Sequence, residues 1–235
     1  MDIVLEKINK SYGTLEVLRA ISFAVKQAEV CAILGPSGCG KTTLLNIISG
    51  MDGDYSGEVR GVHPKRISYL FQEPRLLPWK TVLGNLEFII PPEMDKSSWM
   101  STIRHYLELV GLEEFSTYYP NALSGGMRQR VAVVRAFIFP ADLVLLDEPF
   151  QALDLRIKLS LVSVFKALWQ ESRKTAIFVT HDVQEAMLLG DRIIVLSDRP
   201  SQVRKTITNP VLPEERSLGN EQMLKLERDL YTLVT

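Results

Sequence analysis

The chain has 235 residues, 46% of them hydrophobic, with 27 Lys and Arg set against 28 Asp and Glu for a formal net charge of −1. That length fits one α/β domain, able to bury roughly 70% of the surface its unfolded form exposes without disulfides or structural metals, and the balanced charge excludes bulk nucleic-acid binding. Two isolated cysteines, Cys31 and Cys39, exclude a disulfide framework or zinc site, and no apolar run approaches the ~20 residues that span a bilayer, so a chain at work in a reducing cytosol is expected.

In chain order, apolar-rich segments around residues 3–8, 17–25 and 30–34 read as strands. The third runs into Gly35-Pro36-Ser37-Gly38-Cys39-Gly40, and Lys41 to Ser49 follows with Leu44, Leu45 and Ile48 on one helical side. Short strands are expected at 57–60 and 67–71, and residues 82–139 turn mainly helical. The next strongly apolar strand, Leu143 to Leu146, comes roughly 100 residues after the glycine loop, whereas one βαβ crossover needs about a dozen. An inserted helical subdomain over about 82–139 accounts for the excess, with 1–81 and 140–235 forming the α/β core. Helix, strand, helix and strand then alternate at 155–171, 175–180, 183–189 and 193–196. After Asn209-Pro210 and Pro213, the spacing of Met223, Leu226, Leu230 and Leu233 predicts a packing helix.

Strand, Gly35-x-x-x-x-Gly40-Lys41-Thr42 and helix form a P-loop in its required context. Glycines let successive backbone N–H groups converge on a polyphosphate, the helix start adds a favourable dipole, and Lys41 supplies charge. Thr42 offers its hydroxyl to Mg2+, and Thr43 continues the cradle with Pro36, Ser37, Gly38 and Cys39. Cys39 is expected beside the phosphates, where ATP would shield it from alkylation. Asp147 and Glu148 follow four apolar residues, as for carboxylates delivered at the end of a buried parallel strand. Asp147 is assigned to the metal and Glu148 to the attacking water. His181 directly follows the strand at 175–180 and is placed near the γ-phosphate; His63 and His105 lack such a setting.

Leu123-Ser124-Gly125-Gly126-Met127-Arg128-Gln129-Arg130 resembles the signature motif of ABC ATPases. Physically it is a second phosphate-binding helix start in one chain, with Ser124 as cap and Gly125 and Gly126 allowing close backbone approach. The resemblance implies an α/β P-loop NTPase fold: a RecA-like mixed sheet with flanking helices, an antiparallel β subdomain and the inserted helical one. It implies a head-to-tail homodimer in which the P-loop of one copy and the signature of the other enclose ATP. Tyr12 resembles the family's adenine-stacking aromatic, Gln72 its glutamine that senses Mg2+ and water, and Ala152-Leu153-Asp154 its interface loop. Glu148 matches the catalytic carboxylate and His181 the switch histidine. Gln151 and the pair Val133-Val134 depart from the usual small residues.

The stretch from Phe71 to Asn85, with Leu76, Leu77 and Trp79, resembles ATPases of the nitrate, sulfonate and taurine importer group. Its apolar side chains either dock a membrane permease subunit or pack within the helical subdomain. The implied partners are ATP, a second copy, permease subunits near Gln72 to Asn85 and, indirectly, a solute-binding protein, with the chain peripheral on the cytoplasmic face of the membrane. A rival reading is an ABC ATPase of DNA repair or translation, which usually carries two cassettes or long coiled insertions. A P-loop switch or kinase is a second rival, but neither requires the Ser124-Gly125-Gly126 motif.

Overall fold

The computed structural model describes residues 2–63, 66–151 and 153–234. Strands β3 (Val30–Leu34), β6 (Leu143–Asp147) and β7 (Thr175–Thr180) are buried at every position, as parallel strands covered on both faces must be. They lie in a six-stranded sheet with β5 (Ile67–Leu70), β8 (Arg192–Leu196) and β9 (Val203–Thr208), in the order β5-β6-β7-β3-β8-β9. All neighbours run parallel except β9, which is antiparallel to β8. A second sheet, β2-β1-β4, is antiparallel and built from β1 (Ile3–Tyr12), β2 (Leu15–Val25) and β4 (Ser56–Arg60). The mixed α/β fold with an antiparallel sheet agrees with the expectation.

Two elements differ from it. The first strand continues to Tyr12, because its polar second half still pairs with β2 up to the hairpin contact of Tyr12 with Leu15. Irregularities in that ladder are stitched by side chains: Ser22 Oγ accepts from Lys7 N at 2.8 Å and Asn9 Oδ1 from Ala20 N at 2.8 Å. Strand β9 was not anticipated, since Val-Arg-Lys-Thr-Ile-Thr buries no residue fully and lacks an apolar pattern. It is a charged edge strand, which keeps other chains from pairing with the sheet.

Helix α1 (Lys41–Ser49) follows β3. The long crossover from β5 to β6 carries α2 (Val82–Glu87), α3 (Lys96–Leu109) and α4 (Gly125–Ile138), with short 3-10 turns at Glu113–Phe115 and Pro120–Ala122. Beyond β6 come α5 (Leu155–Ser172), α6 (Val183–Leu189) and α7 (Glu221–Val234). Alternation along β3 divides the core: Val30, Ala32 and Leu34 join the layer under α4 to α7, while Cys31 and Ile33 join Leu44, Leu45 and Ile48 of α1 and the antiparallel sheet. In the first layer Phe165 packs edge-on to Phe137 at 5.2 Å and also meets Phe150 and Phe178. Met223, Leu226 and Leu230 bury the predicted face of α7. Among the described residues no helix is long and apolar enough to cross a membrane.

Candidate functional site

Because β6, β7 and β3 are adjacent and parallel, their carboxyl ends deliver the acids, the histidine and the glycine loop to one sheet edge. The loop leaves β3 with Gly35 N donating to Thr180 O at 3.2 Å. Gly40 starts α1 at φ +110°, and a Cβ there would stand 2.7 Å from Val17 Cγ1, so only glycine fits. Helix α1 begins with no side-chain cap, whereas Thr81, Asp95, Ser124, Asp154 and Asp182 cap α2 to α6. Its first N–H groups are therefore left for an outside acceptor, the arrangement that suits phosphate.

Lys41 Nζ is almost fully buried and donates to the carbonyls of Gly35 and Pro36, each at 2.9 Å. Thr42 Oγ1 donates to Asp147 Oδ1 at 3.0 Å. Burial lifts the Asp147 carboxyl above the ordinary carboxylate range, and the Thr42 hydroxyl opposes that lift. Glu148 takes a left-handed φ of 44° just after its N–H completes the ladder to Val179 O at 3.1 Å. That conformation is uncommon for a residue with a side chain. Here it accompanies a carboxylate held between two groups, with Oε1 3.5 Å from Lys41 Nζ and Oε2 3.2 Å from His181 Nδ1. The His181 loop is fixed by Asp182, which accepts from Gln184 N and Glu185 N at 2.8 and 3.1 Å and pairs with Lys158 at 2.6 Å.

A cleft of about 250 Å³ runs along this edge. Tyr12, Leu15 and Val17 form an apolar wall, Gly38 and Gly40 to Thr43 form the loop side, and Glu148 lines it as well. The half-exposed Tyr12 ring is set by its hydroxyl, 3.1 Å from Asp52 Oδ2, and by Lys10 Nζ, 4.6 Å from the ring centroid and paired with Asp52. Arg199 also lines the cleft and was missed from sequence. Among the described residues it has no ion pair or hydrogen bond. No motif marks it; it reaches the cleft because Ser201, two residues on, donates to Val17 O at 2.8 Å and to Cys39 O, tying the β8–β9 connection to the loop.

Other expected residues stand apart. Gln72 lines neither this cleft nor the Thr42–Asp147 pair, and its Nε2 donates to Gln151 Oε1 instead. Ser124 caps α4 by accepting from Met127 N at 3.3 Å, and Gly126 lies against α5, where a Cβ would meet Ile157 Cγ2 at 2.7 Å. Ser124, Gly125 and Gly126 do not line the P-loop cleft of their own chain. Ala152 of the expected interface loop lies outside the described residues; Leu153 packs against the core and Asp154 caps α5. Within the 71–85 stretch the two alternatives divide: Trp79 is 70% exposed, while Asn85 is fully buried and bonds Leu77 N, Leu77 O, Lys80 O and Thr81 O, bracing the loop.

Cys39 corrects an expectation. Its side chain is buried in the core layer beneath the loop, against Gly35, while its N–H donates to Pro36 O and its carbonyl accepts from Ser201 Oγ. Burial also raises its thiol pKa, with Lys41 acting the other way. Alkylation by a maleimide should therefore be slow with or without ATP. Rapid labelling of Cys39 in the folded, nucleotide-free protein would contradict that placement.

A protein-family model described as ABC transporter matches residues 18–151, the stretch that holds the glycine loop, both acids and the Ser124 helix start. The chain belongs to the ABC transporter family. Like other ATP-binding subunits of ABC transporters, it binds and hydrolyses ATP. This ABC ATPase is 38% identical over 231 residues to an aliphatic sulfonates import ATP-binding protein of Bacillus cereus, covering 96% of this chain and 91% of that one. A taurine import ATP-binding protein of a Jannaschia species is 39% identical over 212 residues, 86% of this chain and 78% of the other. Among solved structures, the dimeric bacterial ABC transporter cassette MJ0796 superposes with a TM-score of 0.75 at 31% identity, over 89% of this chain and all of the cassette. Its post-hydrolysis state bound to ADP and Pi gives 0.74.

Proposed function

We propose that two copies of this ABC ATPase close head to tail on two ATP molecules and that hydrolysis drives import of an aliphatic sulfonate, taurine or a related small solute such as nitrate. The observation that carries the reaction is the Glu148 carboxylate, held between Lys41 and His181 at the cleft edge. Glu148 orients and deprotonates water, Lys41 and His181 offset charge on the transferring phosphoryl group, and Tyr12 stacks on adenine. Ser124, Gly125 and Gly126 of the second copy supply the other helix start. Preorganised charge of this kind supplies most of the acceleration in such reactions.

Thr42 and Asp147 suit Mg2+, because hydroxyl and carboxylate oxygens are hard donors and their separation of 3.0 Å lets both face one ion. Among the described residues no group of three or more His, Cys, Asp or Glu side chains forms a self-contained metal site. Phosphate oxygens and water would complete the shell, with Gln72 joining once freed from Gln151. When bound, the ion neutralises phosphate charge during in-line attack.

The 82–139 insertion would move as a helical subdomain, with permease subunits docking around Gln72 to Asn85 on the cytoplasmic face and a solute-binding protein acting through them. The relatives named as import subunits support transport over the DNA-repair or translation reading. Trp79→Ala should cut recovery of permease bound to the subunit about tenfold, since exposed aromatics anchor interfaces, while leaving ATP turnover by the subunit alone unchanged. Equal recovery would remove Trp79 from the docking surface. The cargo class is tested with the complete transporter and its binding protein. Taurine, an alkanesulfonate or nitrate should stimulate ATP turnover several-fold, and no response to all three would discard the substrate assignment.

A further inference from the structure

Gln151 lies three residues beyond Glu148, and its N–H donates to Glu148 O at 3.2 Å, closing a turn on the reacting carboxylate. It also lines a small recess with Glu148, Lys158 and His181. Its side chain reaches the segment leaving β5, where its Oε1 accepts from Gln72 Nε2. The segment beyond Gln72 is tied down independently: Arg135 of α4 donates to Pro74 O at 2.8 Å and to Arg75 O at 3.0 Å. Gln72 therefore stands between two anchors, one on the helical insertion and one on the turn that carries Glu148. Within the described residues it makes no hydrogen bond to Thr42, Asp147 or Glu148. A small residue at 151 would have no acceptor within reach of Gln72.

We propose that Gln151 is a positioning residue for hydrolysis: its side chain holds Gln72 away from the Thr42–Asp147 pair and keeps the resting subunit slow until the 72–80 loop is moved. The hydrogen bond joins two neutral carboxamides near the surface, so it is weak enough to be broken by a docking partner. Gln151 touches neither nucleotide nor water in this scheme and acts only through Gln72. The proposal rests on the reading that Glu148 activates water and that Gln72 acts beside the metal.

Gln151→Met keeps the length of the side chain and removes the carboxamide acceptor. In the isolated subunit it should raise kcat about 3- to 10-fold with KM for ATP within about twofold, the scale of one neutral hydrogen bond. In the complete transporter it should reduce cargo stimulation by a similar factor. In a Gln72→Ala background the same substitution should change kcat less than about 1.5-fold, because the two residues act as one unit. A readout free of turnover is hydrogen exchange over 72–80 in nucleotide-free protein, which should quicken several-fold in Gln151→Met. Wild-type or lowered kcat, an equal gain in both backgrounds, or unchanged exchange would each overturn the latch. Should Glu148→Gln prove inactive while Gln151→Met behaves as wild type, only the latch fails; an active Glu148→Gln removes the underlying reading instead.

Discussion

Glu148→Gln is expected to lower ATP turnover at least about 100-fold while leaving ATP affinity within about threefold. General-base contributions span about 10²- to 10⁴-fold, and the substitution removes the base while keeping size and one acceptor oxygen. Affinity should survive because the phosphate cradle is made by backbone N–H groups, Lys41 and Thr42, none of which depends on the Glu148 charge for its fold. Lys41 is held by two carbonyls at 2.9 Å, closer than its 3.5 Å approach to Glu148. His181 loses its charged neighbour but keeps a loop fixed by Asp182 and Lys158. Single-turnover measurement of phosphate release, beside equilibrium binding of ATP, separates the two effects. Turnover within about tenfold of wild type would move the base elsewhere.

The second large effect is on binding. Lys41→Ala should weaken ATP about 10- to 150-fold, since a charged hydrogen bond is worth about 1.5–3 kcal/mol and about 1.4 kcal/mol is a factor of ten. ADP should lose affinity as well, but by less, because one phosphate fewer lies within reach. Lys41→Arg is not a conservative substitute here: the buried ammonium fills a gap between two carbonyls, and a planar fork is larger. The Gly35 and Pro36 carbonyls lose a shared donor, the Gly35 one at a buried position, so some stability should be lost together with the affinity. Calorimetric titration with ATP and ADP, with circular dichroism to check folding, reads this directly. Affinity unchanged within about threefold would show that Lys41 stays engaged with the loop carbonyls and does not reach the phosphates.

How much of this was legible in the sequence depends on whether the signal was local. Helix α1 begins at Lys41 and ends at Ser49 as read, because the strand, glycine loop and amphipathic helix each carry their own pattern within a few residues. The carboxylates at the end of β6 and the Ser124 cap were readable for the same reason. Strand β9 was not, since a charged edge strand has no apolar alternation to find. Arg199 was not, because its place in the cleft depends on how Ser201 ties two distant loops. Cys39 looked like a ligand-facing residue by position, yet its side chain packs beneath the loop among residues from β2, β8 and α1. The Gln72–Gln151 contact joins residues 79 apart in the chain, a distance at which periodicity and motif spacing carry no information. The residues that meet at the sheet edge were thus mostly visible, while the Gln72–Gln151 contact and the Arg199 rim of the cleft were not.

The central claim is that ATP is enclosed by two copies, with the P-loop of one facing the Ser124 helix start of the other. Sedimentation equilibrium of Glu148→Gln tests it most directly, because slowed hydrolysis preserves the closed state long enough to weigh. With saturating ATP and Mg2+ the protein should have twice the mass of one chain; without nucleotide, or with Ser124→Arg added, it should have the mass of one. A single-chain mass for Glu148→Gln at ATP concentrations shown to fill the site would contradict the account.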